Sequence, residues 1–330
     1  MSIDRRKFIK SIGLGTIMLG AHPFAALSSG IVLPDEGGSL DKDAYTDDGS
    51  QVQIGDNIAI AETEYGKVKG YIMRGIYTFL GIPYAAETSG KNRFMPPRKH
   101  EPWTGIRPAV FYGNTAPQDV YSRASTSYDM FVDHWNYDEI SENCLCLNIW
   151  TQDITDGKKR PVIVWLHGGG FTRGNGIEQD GYNGENITRY GDVVYCSVNH
   201  RLGVFGFTDL SAFGEKYKDS GNAGLLDMAA AIRWIHDNIS NFGGDPDNIT
   251  VIGQSGGGAK VCLLATMPEM RGLIHKGVSL SGSAVRANQP KYSRLLGEYI
   301  VKEAGLSAAE MDKLQDMPWR DYMTLAYRAA

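Results

Sequence analysis

Ser255 stands among glycines in Gly253-Gln254-Ser255-Gly256-Gly257, directly after the apolar run Ile249 to Ile252 and just before an apolar stretch from Ala259 to Thr266. A serine held on a sharp strand-to-helix turn presents its hydroxyl as a nucleophile, and the turn needs small residues on both sides because the chain doubles back on itself. The helix that follows points its first amides at the same spot and favours negative charge there. A second glycine run, His167-Gly168-Gly169-Gly170-Phe171, follows the apolar run ending at Leu166. Consecutive glycines let backbone N–H groups converge without side-chain obstruction, as stabilisation of a tetrahedral oxyanion requires. Ser255 is therefore the candidate nucleophile, with Gly169, Gly170 and Gly256 as candidate oxyanion donors. A phosphate-cradling loop fits less well. At the P-loop spacing after Gly253 and Gly258 stands Ala259 rather than lysine, and Gly174-Asn175-Gly176 lacks the third glycine of a dinucleotide fingerprint.

The elements that must position these loops read as strands alternating with helices. Cys144 to Thr151, Val162 to Leu166, Val193 to Val198, Ile249 to Gly253 and Val278 to Leu280 are short apolar runs suited to central strands. Leu225, Leu226, Met228, Ala229, Ile232, Ile235 and Ile239 recur at helical spacing, so a helix is expected from near Asn222 to before Gly243. Upstream, Ile58 to Glu62, Lys67 to Ile72 and Ile76 to Leu80 suggest a small antiparallel group, and the proline-rich stretch from Pro83 to Asn143 reads as loop. The pattern is α/β.

Composition narrows the partners. The 330 residues carry a formal net charge of -5 with 42% hydrophobic residues, and no basic stripe marks a nucleic-acid surface. None of the four cysteines, Cys144, Cys146, Cys196 and Cys262, has zinc-ligand spacing with a histidine pair, so they read as small buried hydrophobes and no metal or cofactor is implied. At the N-terminus, Arg5-Arg6-Lys7 precedes a weakly apolar run and the small residues Ala25, Ala26, Ser28 and Ser29. Residues 1–28 are expected to be a twin-arginine export signal, which places the mature protein in the periplasm or outside the cell with no membrane association after signal removal. The run is too short to span a bilayer. Residues 29–56 read as a flexible linker, and residues 57–330 as the folded domain.

The motifs occur in a characteristic order. Downstream of Gly81-Ile82-Pro83-Tyr84, Arg93-Phe94 and Glu142-Asn143-Cys144-Leu145 come His167 to Phe171, Asn199 to Phe207, Gly221 to Asp227, Asp237-Asn238-Ile239, Phe242 to Pro246 and Ser281-Gly282-Ser283. This order resembles the type B carboxylesterases, the carboxylesterase/cholinesterase-like α/β-hydrolases, over about Tyr65 to Ser283. The resemblance implies a mostly parallel central sheet with helices on both faces, here without the family's C-terminal strands and helices. It implies a carboxylic ester hydrolase acting on small-molecule esters through an acyl-enzyme on Ser255. It also implies ion pairs Arg93–Glu142 and Arg201–Asp227 fixing loops around the site, and an aromatic gorge position near Trp135, for which packing is an equal reading. The chain departs from the family at Gln254, where Glu is usual, at Gly256, where Ala is usual, and at His200, where an aromatic residue is common. The family's triad runs Ser, acid, His, and only His275 follows Ser255. As a residue entering a strand, His275 belongs at the wrong end of the sheet, so neither triad acid nor triad His is assigned in this chain. His200 remains as a substitute base. The expected partners are thus an ester and a downstream polypeptide that completes the triad. The alternative functions are a catalytically inactive fragment, half of a split enzyme, or a non-catalytic cholinesterase-like binding scaffold. An unpaired Val278 to Leu280 edge is expected unless the helices after Tyr292 cover it.

Overall fold

The computed structural model describes residues 52–120, 139–284 and 289–330. The expected export signal, nearly all of the linker and Trp135 lie outside them. The described residues up to Ala329 form one compact unit.

Its centre is a seven-stranded sheet. In chain order the strands are β1 (Ile60–Thr63), β2 (Gly66–Lys69), β3 (Tyr71–Met73), β4 (Ile76–Pro83), β5 (Ile106–Pro108), β6 (Cys146–Thr151), β7 (Arg160–Leu166), β8 (Val194–Val198), β9 (Gly244–Gln254) and β10 (Lys276–Leu280). The large sheet has the order β10-β9-β7-β8-β6-β4-β3, and a small sheet has the order β1-β2-β5. From β10 to β8 the neighbours run parallel, and from β8 to β3 antiparallel. The run expected over Lys67 to Ile72 is broken at Gly70, where a Cβ would stand 2.1 Å from the Thr78 carbonyl oxygen. Its two halves therefore enter different sheets. β5 interrupts the proline-rich stretch read as loop, because β2 offers it a parallel partner at Lys67 to Lys69.

The helices are α1 (Glu185–Gly191), α2 (Gly203–Gly206), α3 (Ala223–Asn238), α4 (Gly256–Thr266), α5 (Pro290–Glu303), α6 (Met311–Asp316) and α7 (Trp319–Ala329). Alternation along β7 sends Val162, Val164 and Leu166 to one face, where they join Met228, Ile232 and Ile235 of α3 and Val261 and Leu264 of α4 in the main core. On the other face Trp150 and Tyr195 are buried beside α1, whereas Ile163 and Trp165 are only partly covered. Helices α5 to α7 build a second core with Phe94, Phe205, Leu210 and Tyr217. They leave β10 uncovered, with Val278 and Leu280 exposed, so the strand is the open edge that the sequence made conditional on those helices. No described helix is long and apolar enough to cross a membrane.

Candidate functional site

Ser255 occupies the one-residue turn between β9 and α4 with φ 56° and ψ -121°. A non-glycine residue at positive φ is strained, and the surroundings fix it there. The Ser255 N–H donates to the Leu280 carbonyl at 2.7 Å. A Cβ on Gly253 would lie 2.4 Å from the Gly257 carbonyl carbon, and one on Gly282 would overlap the Ser255 carbonyl oxygen. These contacts show why the elbow is glycine-rich: three backbone segments cross within van der Waals distance. Ser255 is half-buried, so its hydroxyl is reachable.

The two glycine loops meet. A Cβ on Gly168 would stand 3.7 Å from the Ser255 Cβ, and a Cβ on Gly256 would stand 2.5 Å from the Gly170 nitrogen. Gly169 and Gly170 both lie at positive φ, 81° and 66°. Their amides and that of Gly256 donate to no acceptor among the described residues. The three amides thus lie on the two loops that meet at Ser255, and none of them is spent on an acceptor among the described residues.

Buried polar side chains hold the loop from behind. Gln118 clamps Gly174 by donating to its carbonyl at 2.9 Å and accepting from its N–H at 2.8 Å. Asn199 accepts from Gly176 N–H at 2.7 Å. His167 and His200 are fully buried and stacked, with ring centroids 4.9 Å apart and planes 14° apart. His200 Nδ1 donates to the Arg201 carbonyl at 2.8 Å. Burial, then the nearby Lys260 and Arg201 charges, push its imidazolium well below the usual histidine range, so the ring is neutral. The ring is committed to stacking and to the backbone, and makes no hydrogen bond with Ser255. His275 is exposed at the far end of β10 and accepts from Ile249 N–H. At about 3.3 Å per residue it stands roughly 16 Å from the Leu280 end that touches Ser255.

The ion pairs form as expected. Arg93 and Glu142 are bidentate at 2.5 and 2.7 Å, and Arg201 and Asp227 at 2.6 and 2.8 Å, all four buried. Arg93 also donates to the Leu314 carbonyl at 2.9 Å, tying α6 to the segment between β4 and β5. Lys260, Arg160 and Glu178 are buried charged residues that the sequence reading did not single out. Lys260, on α4, is fully buried and donates from Nζ to the His167 carbonyl at 2.9 Å. The available signal was a single cation inside the apolar run Val261-Cys262-Leu263-Leu264 and its neighbours.

Compared with known proteins, residues 57–319 match the carboxylesterase family. The chain belongs to the carboxylesterase family. It is 39% identical over 269 residues to para-nitrobenzyl esterase of Bacillus subtilis, which covers 81% of the chain and 52% of that protein. It is 41% identical over 219 residues to phenmedipham hydrolase of Pseudarthrobacter oxydans, covering 66% of the chain and 42% of that protein. Among solved structures it is similar to an esterase from Clostridium hathewayi, at 42% identity and a TM-score of 0.75 over 84% of this chain and 54% of the other. A Geobacillus stearothermophilus carboxylesterase is also similar, at 36% identity and a TM-score of 0.73 over 82% of this chain and 53% of the other. This carboxylesterase chain therefore spans about half the length of the relatives it matches, and its fold is that of the α/β-hydrolases.

Proposed function

We propose that this chain is the nucleophile-bearing part of an exported carboxylic ester hydrolase. Ser255 Oγ adds to the ester carbonyl carbon, and the carbonyl π pair moves to the oxygen, held by the amides of Gly169, Gly170 and Gly256. The serine proton passes to a base, which returns it to the departing alcohol; water then attacks the acyl-enzyme and releases the acid. The single observation that carries this reading is Ser255 at positive φ beside the unspent Gly169, Gly170 and Gly256 amides. The base is proposed to be a histidine oriented by an acid, both supplied by polypeptide beyond these 330 residues. The neutral, stacked His200 and the remote His275 both favour that source.

The test is turnover of p-nitrophenyl acetate or butyrate by the purified chain, by Ser255→Ala and by His200→Ala. Without its base a serine hydroxyl is a weak nucleophile, and loss of the histidine in a well-studied serine protease costs on the order of a millionfold in turnover. The chain alone is expected to be nearly inactive and to gain activity when a polypeptide carrying acid and histidine is supplied. Robust turnover lost in both variants would make His200 the base and end the complementation reading. Export is proposed from Arg5-Arg6. Lysine at both positions should trap the protein in the cytoplasm, and Met1 on periplasmic material would refute cleavage.

A further inference from the structure

We propose that Lys260 is a positioning residue for the oxyanion loop, tying its first carbonyl from beneath and setting a cation behind the amides of Gly169 and Gly170. The inference rests on the reading of those amides as oxyanion donors. Lys260 lies one helical turn beyond Ser255 on α4, and a helical side chain leans back toward the N-terminus of its own helix. That lean carries Nζ to His167, the residue at which β7 gives way to the glycine run, where it donates at 2.9 Å to the carbonyl. Phe171, at the other end of the run, has its ring centroid 5.9 Å from Nζ. The amine is therefore hydrogen-bonded at one end of the loop and within cation–π range of the ring at the other.

A fully buried ammonium is costly, and its presence calls for a reason. The groups facing it are few. Glu178 on the chain after the loop favours its charge, and its cation in turn opposes charging of His200, which stacks on His167. Burial pulls Lys260 down to about 7, with Glu178 opposing the fall. The amine is thus half charged near neutrality, where a change in its protonation alters both the tie and the field on the loop. An oxyanion gains from a cation in this low-dielectric setting.

Two measurements test this. In the unmodified chain, the backbone amide resonances of Gly169 and Gly170 are followed by NMR between about pH 5 and 9 while the Lys260 side chain titrates. They are expected to shift with the Lys260 midpoint; amides that stay still through that titration overturn the proposal. Separately, the rate at which an aryl fluorophosphonate labels Ser255 is compared among wild type, Lys260→Met and Lys260→Gln, each supplied with the polypeptide carrying acid and histidine that activates the serine. Lys260→Met is expected to slow labelling about tenfold below the Lys260 midpoint, the usual scale for losing a supporting contact behind a site. The deficit should shrink above the midpoint, and Lys260→Gln, which retains an N–H donor, should recover part of it. Equal rates, or a deficit that is the same at every pH, overturn the proposal. Should Ser255→Ala label as fast as wild type when both are supplied with the polypeptide carrying acid and histidine, the hydrolase reading fails, and the amide titration still decides whether Lys260 governs the loop.

Discussion

A methyl group at position 256 would collide with the backbone of Gly170, whose nitrogen, Cα and carbonyl oxygen all lie within 2.5 Å of the Cβ position. The carboxylesterase pattern usually has alanine there, so this chain seats its Gly168–Gly170 loop closer to the elbow than an alanine would allow. Gly256→Ala is expected to push the loop away, at a cost of about 1–3 kcal/mol from overpacking, and chemical denaturation measures it. Lys260 gives a second prediction at this scale. Its folded pKa, about 7, is depressed from 10.5, so between these values the unfolded chain binds more protons than the folded one. Stability from this group is therefore fully present above the upper value and lost as pH falls to the lower one. Relative to wild type, Lys260→Met should gain most below about pH 7 and least above pH 10.5. Denaturation midpoints that keep a constant difference across that window would contradict the depressed pKa.

At the scale of elements, the loops carrying the site are held by buried ion pairs rather than by their own propensities. The residues between β8 and α3 include short 3-10 turns at Ser211–Phe213, Glu215–Tyr217 and Ser220–Asn222, none long enough to be stable alone. Arg201 on the loop and Asp227 on α3 close that segment into a fixed bracket, with the Asp227 carboxylate also accepting the Arg201 backbone N–H at 3.1 Å. Asp227→Asn leaves a buried guanidinium without its countercharge and is expected to destabilise by about 3–5 kcal/mol. Glu142→Gln should act in the same direction through Arg93, and should also loosen α6, because Arg93 reaches the Leu314 carbonyl. Hydrogen exchange that quickens in α6 of the Glu142 variant, and not in α3, would distinguish the two brackets.

At the scale of the molecule, the sheet ends in β10 with Val278 and Leu280 exposed and, among the described residues, one side of the strand unpaired. Ile163 and Trp165, two strands further in, are also only partly covered. An open parallel edge beside uncovered apolar residues is a template for association. The chain is expected to self-associate as its concentration rises, and Val278→Lys with Leu280→Lys to reduce that association; light scattering across a dilution series measures both. The same face offers a docking edge for the polypeptide proposed to complete the triad, so the double lysine variant should also weaken complementation.

The sequence by itself determined the parts of this protein that depend on neighbours in the chain. The apolar runs at Val162, Val194 and Ile249 marked central strands, although only β8 is buried along its whole length, whereas the runs in β7 and β9 alternate buried with part-buried positions. The periodicity from Leu225 to Ile239 marked α3, and the glycines around Ser255 marked a turn too tight for side chains. Tertiary structure decided what depends on distant partners. Gly70 splits a continuous β-type run because the Thr78 carbonyl crosses there, and β5 exists because β2 offers it an edge. Lys260 carried no role within the apolar stretch Ala259 to Thr266, and only the folded α4 places it against the His167 carbonyl. Likewise, the direction of α5 to α7, away from β10 and toward Phe94, Phe205 and Tyr217, follows from which apolar surface lay within reach. Spacing along the chain sets local geometry, whereas burial is a property of the whole assembly of elements, and only the folded chain could assign it.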